Sequence, residues 1–379
     1  MTKSRTILWV TDDTYVDHDI DVVPLVSSEY TVHWIILFAV KNNRYSEEGI
    51  RQETANHPNL HLHFIYAECR KRNIKNIFYY LKVFDIAKSI KVDVFHLDIG
   101  VDNPWAIPMF LKLPRENSIV VLHQGKPHEG MKHRWLCNLI RKIELKKLNY
   151  VKMFSKSQAD IFRMSFPSHT VFEFNLPLIG FGKPTNKRPD RDNIRFLSFG
   201  TLNYAKNVDL LIDAACLLYK KGIRGFKVII KGGCKDWSWY QQRIEYPEIF
   251  ELDIRMVNNS EIPNLFNGVH YFVQPYRVVS QSGPLKIAFN YNLPVIASDL
   301  PGFRDEIKEG VNGFCFKKGD LNDLARVMKE CIVQNKEEYE TLRKNMDEYT
   351  KMHYSSGVVL EKYHEMFESV IQNSKKYGV

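Results

Sequence analysis

The residues with the clearest chemical potential lie in a short loop near position 280. The loop reads Gln281-Ser282-Gly283-Pro284 and follows the apolar run 270–273. A short apolar run bounded by turn residues predicts a buried parallel strand. Ser282 or Gly283 can cap a helix whose first position is Pro284, where a missing N–H costs nothing. The loop would then present backbone N–H groups to an anionic ligand. An ordinary βα connection with a conventional cap remains the alternative.

A second polar group of residues lies near the N-terminus. Asp12 and Asp13 follow the first apolar run, and three more aspartates fall within 17–21. Closely spaced carboxylates can hold a divalent cation. A polar loop and helix start, favoured by the helix macrodipole, is the simpler interpretation. The six cysteines are scattered, without a Cys-x-x-Cys pair, so a zinc site is not expected either.

Composition places the chain among globular proteins of more than one domain. It has 379 residues, 44% of them hydrophobic and 26% charged. No apolar stretch approaches the length of a membrane span, about 20 residues. The N-terminus leads directly into a strand pattern without a signal-peptide core, so we expect a cytoplasmic location. The net charge of +9 favours anionic partners.

Apolar runs that predict strands alternate with helix-like stretches along the chain. The strands expected in the first half are 7–10, 31–40, 60–66, 92–97, 118–122, 151–154 and 170–174, with the clearest helices at 73–90 and 131–148. Those expected in the second half are 194–199, 226–230, 254–257, 270–273, 295–297 and 313–316, followed by helix over 321–371. This alternation predicts α/β domains with doubly wound parallel sheets.

A linker divides the two alternations. Residues 180–191 are rich in Gly, Pro and charge. We therefore predict one domain over 1–182, joined by a C-terminal helix over about 356–379, and a second over 183–355. Strand ends of the two domains are expected to face a cleft.

Several stretches of the second half occur in the order and spacing of one known family. They are 199–201, 206–214, 229–233, 274–276, 281–283, 294–299 and 309–314. The chain thus resembles the retaining group 1 (family 4) glycosyltransferases, which use nucleotide sugars and have the GT-B fold of two Rossmann-like domains. The resemblance implies transfer of a sugar without a cofactor or an obligatory metal.

The resemblance also implies roles for individual residues. Lys206 stands where the family has the lysine that holds the donor diphosphate, a role that suits a cation beside a departing phosphate. The expected donor-binding set is Gly200, Thr201, Lys206, Asn207, Gly232, Gln281, Ser282 and Gly283. In the first domain His123 matches a histidine that contacts the transferred sugar, so the resemblance implies that His123 and Lys206 are the catalytic residues. Asp12, Asp13 and His128 are expected on the acceptor side.

The chain departs from the family pattern at several positions. Thr201 stands where an arginine is common, and Gln124 where an acid often follows the histidine. Val279 and Ile287 occupy the positions of the paired glutamates that grip the donor sugar and its ribose. Gln281 and Ser282 could replace part of that recognition. These departures leave an inactive, glycosyltransferase-like scaffold as an alternative.

The segment from Met131 to Lys152 combines apolar and basic residues. An apolar stripe at helical spacing comprises Trp135, Leu136, Leu139, Ile140, Ile143 and Leu148, and lysines and arginines fill much of the remainder. We expect the stripe to pack on the sheet. The basic face could also rest on an anionic membrane surface, which would suit a polyprenyl-linked acceptor.

The sequence therefore predicts a glycosyltransferase that moves a sugar to a sugar or lipid-linked acceptor, plausibly in bacterial surface polysaccharide synthesis. A sugar-nucleotide epimerase of the same fold is a second alternative. A dinucleotide oxidoreductase is disfavoured because no Gly-x-Gly-x-x-Gly follows the first strand of either domain. Nucleic-acid binding would rest on charge alone and is not expected.

Overall fold

A computed structural model describes residues 5–40, 45–70, 73–100, 103–127 and 134–376. The chain divides into two compact units: residues 1–177 with 355–379, and residues 178–354. Each unit contains one parallel sheet with helices between successive strands. The predicted class, two doubly wound α/β domains, is confirmed.

The first unit is built on seven strands. They are β1 (Thr6–Asp12), β2 (Thr31–Phe38), β3 (Leu60–Tyr66), β4 (Val94–Asp98), β5 (Ser118–Leu122), β6 (Tyr150–Met153) and β7 (Thr170–Glu173). Its helices are α1 (Val16–Asp19), α2 (Val22–Val26), α3 (Glu47–Glu53), α4 (Asn76–Ala87), α5 (Ile107–Lys112), α6 (Arg134–Leu145), α7 (Lys156–Ser165) and, from the C-terminus, α15 (Ser356–Lys376).

The second unit is built on six strands. They are β8 (Ile194–Phe199), β9 (Phe226–Lys231), β10 (Phe250–Asp253), β11 (Tyr271–Gln274), β12 (Val295–Ser298) and β13 (Gly313–Phe316). Its helices are α8 (Val208–Lys220), α9 (Trp237–Gln241), α10 (Ile262–Asn267), α11 (Gly283–Asn290), α12 (Pro301–Arg304), α13 (Leu321–Val333) and α14 (Lys336–Tyr354).

Burial on both faces explains the apolar strand sequences. In β1 the residues Ile7 and Trp9 pack into one core cluster, and Leu8 and Val10 pack into another. Successive side chains of a strand point to opposite faces, so one apolar run serves two helix layers. The C-terminal helix α15 contributes to the first of these clusters.

The strand order in both sheets contains one reversal. It is β3-β2-β1-β4-β5-β6-β7 in the first unit and β10-β9-β8-β11-β12-β13 in the second. The reversals fall between β1 and β4 and between β8 and β11. Doubly wound sheets bind ligands at the carboxyl ends of the strands beside such a reversal. The two loops that leave β8 and β11 are therefore the natural ligand site of the second unit.

The expected strand over 254–257 is wrong. The strand at this edge is β10, which pairs with β9 from Phe250 opposite Val228 to Asp253 opposite Lys231. An edge strand covered on one face needs few apolar residues, and Leu252 of β10 is exposed. The apolar residues that follow β10 therefore misled the sequence prediction.

The apolar stripe of α6 is only partly buried, contrary to expectation. Ile140 is buried, whereas Trp135, Leu136 and Leu139 are exposed, with Trp135 at 69% of its full accessibility. The residues before Arg134 in this segment lie outside the described residues. The helix therefore turns an apolar edge outward rather than packing all of it on the sheet.

Candidate functional site

Helix α11 begins at the loop singled out by the sequence. Ser282 is its N-cap and its Oγ accepts a hydrogen bond from the Leu285 N–H at 3.3 Å, while Pro284 lies in the first turn. This confirms the predicted cap and helix start. The side chain of Gln274, at the end of β11, donates to the same Ser282 Oγ at 2.7 Å. The start of the helix is thereby fixed to the end of its strand.

Two side chains link Lys206 to this helix start. The Lys206 ammonium lies 3.8 Å from the centroid of the Tyr276 ring, a cation–π contact. The Tyr276 hydroxyl accepts a hydrogen bond of 3.0 Å from Gln274 Nε2, the group that also donates to Ser282. The structure thus brings the predicted lysine and the predicted loop to one sheet edge. Their role in donor binding remains a prediction.

Arg277 connects the loops after β8 and β11, a function that sequence reasoning missed. Its backbone N–H donates to the Ala205 carbonyl at 2.9 Å, and its guanidinium donates to the Tyr204 carbonyl. The guanidinium also pairs with the buried Asp209 carboxylate at 2.6 Å. An arginine directly after a strand at the reversal was the available signal. Arg277 is a positioning residue for the loop that carries Lys206.

The Arg277→Ala variant should lose up to about 100-fold in kcat/KM for a nucleotide-sugar donor, because small displacements of a binding group carry costs of that size. The change should fall mainly on the KM of the donor, since the Lys206 ammonium would still be present but less well placed. Arg304→Ala is the matched control, because Arg304 pairs with Asp299 in an exposed position. An unchanged donor KM in Arg277→Ala would contradict the positioning role.

Gly200 and Gly232 lie against each other at the ends of β8 and β9. Gly232 has a φ of +148°, and a Cβ at this position would lie 1.8 Å from the Gly200 carbonyl oxygen. Gly200 itself has a φ of +112° and donates its N–H to the Lys231 carbonyl at 3.1 Å. Close approach of the Gly200 backbone therefore explains Gly232, whereas the positive φ explains Gly200. Nothing in these contacts requires a donor.

The remaining predicted donor residues have mixed surroundings. Thr201 is exposed, and Gln281 and Gly283 are half-buried. Asn207 stands at the N-cap of α8 but has a φ of 54°, and its side chain makes no cap hydrogen bond. A left-handed asparagine is instead the turn residue between the 3-10 segment Tyr204–Lys206 and α8.

In the first unit, His123 has a buried carboxylate partner. His123 follows β5, and its Nε2 lies 2.8 Å from Oδ1 of Asp98, which ends β4 and is fully buried. Tyr15 stacks on the His123 ring with centroids 4.1 Å apart, and the His18 ring lies 5.3 Å away. Asp98 and His18 were not among the predicted site residues. A carboxylate closing a buried strand was the signal for Asp98.

Two further buried ionisable groups, Asp19 and Lys152, interact with the Asp98 carboxylate of this pair. Burial raises the pKa of Asp98, but the neighbouring His123, Lys152 and His18 outweigh burial and hold this pKa below its ordinary value. Burial and the charge of Asp98 raise the pKa of Asp19 to about 7. Burial lowers the pKa of Lys152 to about 8, although both carboxylates oppose that shift. The Lys152 ammonium donates to the Tyr363 hydroxyl of α15 at 2.6 Å.

The two aspartates predicted to lie on the acceptor side accept hydrogen bonds from the backbone beyond neighbouring strand ends. Asp12 Oδ2 accepts the Gly100 N–H at 2.7 Å, and Asp13 Oδ2 accepts the Ala39 N–H at 2.8 Å. These contacts tie the end of β1 to the segments that follow β4 and β2. His128 lies outside the described residues.

Known proteins resemble both halves of this architecture. Residues 183–353 match the family model of the group 1 glycosyl transferases. No curated protein matches the chain. Among solved structures, sucrose-phosphate synthase from Thermosynechococcus elongatus has a TM-score of 0.73 at 11% identity, with 97% of this chain and 99% of that chain covered. Anabaena HepE in complex with UDP and glucose has a TM-score of 0.71 at 13% identity, with coverages of 96% and 100%.

A third solved structure extends this comparison. A variant of TarM from S. aureus, in complex with fondaparinux, alpha-GlcNAc-glycerol and UDP, has a TM-score of 0.68 at 14% identity, with coverages of 96% and 99%. At such identities the likeness concerns the fold, and it confirms the predicted GT-B fold class with two Rossmann-like domains. Among the described residues, no helix is long and apolar enough to span a bilayer.

Proposed function

We propose that the chain transfers a sugar from a nucleotide-diphosphate donor to a sugar or lipid-linked acceptor, because residues 183–353 match the family model of the group 1 glycosyl transferases. The predicted class of enzyme, a glycosyltransferase, is confirmed by this family match. The observation that carries the proposal is the link from Lys206 through Tyr276 and Gln274 to Ser282.

The second unit binds the donor diphosphate in this proposal. Backbone N–H groups at the start of α11 and the Lys206 ammonium supply the positive potential that a diphosphate needs. Negative charge grows on the leaving diphosphate as the glycosidic bond breaks, so groups fixed before the reaction stabilise the transition state most. Gln274 and Arg277 hold this geometry, because each connects two of the elements involved.

In this proposal the first unit supplies the acceptor surface and His123, which Asp98 holds in place to contact the transferred sugar. Retention of anomeric configuration, and transfer without a cofactor, follow from the resemblance to family 4. Solved structures of the same fold hold UDP, with glucose or with sugar ligands, which supports a nucleotide-sugar donor here. Synthesis of a bacterial surface polysaccharide is the role that we propose for the product.

The inactive scaffold remains a second candidate because of two side chains. Ile287 is buried in the core of the second unit, and Val279 packs against the same core. Neither can accept a hydrogen bond from a sugar or ribose hydroxyl. A panel of nucleotide sugars, assayed for binding and for release of the nucleoside diphosphate with and without acceptors, separates the candidates. Binding without release under every acceptor would favour the scaffold, and conversion of the donor without acceptor would favour an epimerase.

We also propose that α6 lies on an anionic membrane surface. Trp135, Leu136 and Leu139 are exposed on this helix, and the exposed cations Arg134, Lys142, Lys146 and Lys147 lie on the same segment. Apolar side chains that enter the interface and cations that meet anionic headgroups stabilise binding together, at about 1 kcal/mol per cation. Such a surface suits a polyprenyl-linked acceptor.

Replacing Trp135 and Leu139 with serine should weaken binding to vesicles containing anionic lipid by at least about tenfold, since each buried side chain of this size contributes about 1.5–3 kcal/mol. Vesicle sedimentation measures the partition coefficient. Met352→Ser is the control, because Met352 is equally exposed but lies on α14. Equal losses in the control, or no loss in the double variant, would exclude α6 as the contact.

A further inference from the structure

The reversal of strand order in the first unit brings together three side chains that can bind a metal. They are His18 in α1, Asp98 at the end of β4 and His123 after β5, and one ligand atom of each lies within 4.8 Å of the other two. Two imidazoles and one carboxylate are a common ligand set for divalent transition metals. We propose that these three residues bind one divalent transition metal ion such as Zn²⁺.

The separation of the ligand atoms fits this proposal. Two ligands of a tetrahedral metal with bonds of about 2.0–2.1 Å lie about 3.3 Å apart. Asp98 Oδ1 and His123 Nε2 are 2.8 Å apart, so the pair opens by about half an ångström when a metal replaces the shared proton. Stacking of Tyr15 on the His123 ring fixes the plane of that imidazole.

The buried carboxylate supplies an independent observation. Asp98 is fully buried, and its second oxygen, Oδ2, has no hydrogen-bond partner among the described residues. An unsatisfied oxygen of a buried carboxylate carries a free-energy cost, which a coordinated cation removes.

The chemical types of the three ligands, two imidazoles and one carboxylate, indicate which class of metal ion they prefer. Imidazole nitrogen favours zinc and its neighbours in the first transition row over Mg²⁺ or Ca²⁺, which prefer oxygen ligands. Three protein ligands leave at least one coordination position for an oxygen from water or a substrate. This site differs from the expectation of no metal that the family resemblance implies, and it does not depend on the proposed transfer reaction.

Metal binding by the full chain tests the proposal directly. The protein is stripped with a chelator and titrated with Zn²⁺ in a calorimeter, and Co²⁺ is used as a spectroscopic probe. We expect one equivalent to bind, with Co²⁺ absorption typical of nitrogen and oxygen ligands. Thiolate charge-transfer bands, or the absence of stoichiometric binding, would overturn the proposal, since the described chain also holds free cysteines.

Substitution of the proposed ligands tests whether the metal ion binds at this position. Loss of a residue that only supports a metal ligand weakens metal binding by about 10- to 100-fold. Asp98→Asn and His18→Asn each remove a direct ligand, so each should weaken Zn²⁺ binding by at least that factor. His33→Asn is the matched control, because His33 lies in another histidine pair, 3.0 Å from His63. His18 is half-buried, so its variant tests the site even if Asp98→Asn does not fold. Unchanged affinity in His18→Asn, or loss of binding in His33→Asn, would refute this location.

Discussion

Replacing Lys206 with alanine is expected to lower kcat/KM for the nucleotide-sugar donor by about 100- to 1000-fold, the loss found when a preorganised group that stabilises transition-state charge is removed. The ammonium lies over the Tyr276 ring, and Gln274 links the Tyr276 hydroxyl to Ser282, the N-cap of α11. Its field acts on the diphosphate in the donor complex and more strongly as the leaving group gains charge. Both the donor affinity and kcat should therefore fall.

The Lys206 experiment needs a control for net charge. Lys220→Ala removes a lysine that is exposed at the end of α8, and it should leave kcat/KM unchanged. Release of the nucleoside diphosphate gives the rates, and calorimetry with the unhydrolysed donor or the nucleotide product gives the affinity. If Lys206→Ala keeps full donor affinity and turnover, the diphosphate does not bind at this sheet edge.

Replacing Lys286 with methionine is expected to destabilise the second unit by about 3–5 kcal/mol, as found when one member of a buried ion pair is removed. Lys286 lies in α11, is fully buried and pairs with the buried Glu306 carboxylate. The Tyr354 hydroxyl donates to Glu306 at 2.8 Å and accepts from Lys286 at 2.7 Å. Burial lowers the pKa of Lys286 well below its ordinary value, so the charged form depends on this partner.

A double variant separates loss of pairing from loss of packing. Lys286→Met with Glu306→Gln removes both charges and should recover much of the lost stability, because no uncompensated carboxylate remains in the core. Urea unfolding gives the free energies, and Lys317→Met, at a position exposed on the surface, is the control. Equal stability of the single and double variants would show that the pair itself contributes nothing.

The Lys286–Glu306 pair is connected to the candidate donor site, because Lys286 lies in α11 and Ser282 is the N-cap of that helix. The family positions held here by Val279 and Ile287 are apolar, and Ile287 adjoins Lys286 in α11. The charged side chain of α11, Lys286, is therefore buried in the core of the second unit and pairs with Glu306. A donor sugar would have to be recognised by other groups, and the half-buried Gln281 is a polar candidate on the loop before α11.

The sequence alone determined most of the architecture. The core strands β5, β8 and β12 were predicted almost residue for residue, because strands buried on both faces must be continuously apolar. The cap at Ser282 and the loop after β11 followed from local chemistry, since a cap needs only neighbouring residues. The edge strand β10 was misplaced because one exposed face weakens its apolar pattern.

Only the tertiary structure decided which polar side chains meet. Asp98 and His123 are 25 positions apart in the sequence. Arg277 and Asp209 are 68 positions apart. No local sequence pattern therefore predicts either pair. The order of strands in each sheet determines these contacts, because it places the carboxyl ends of β4 and β5, and those of β8 and β11, side by side. Local sequence specifies each strand and each cap, whereas the partners of buried charges depend on distances that exist only after the sheet has formed.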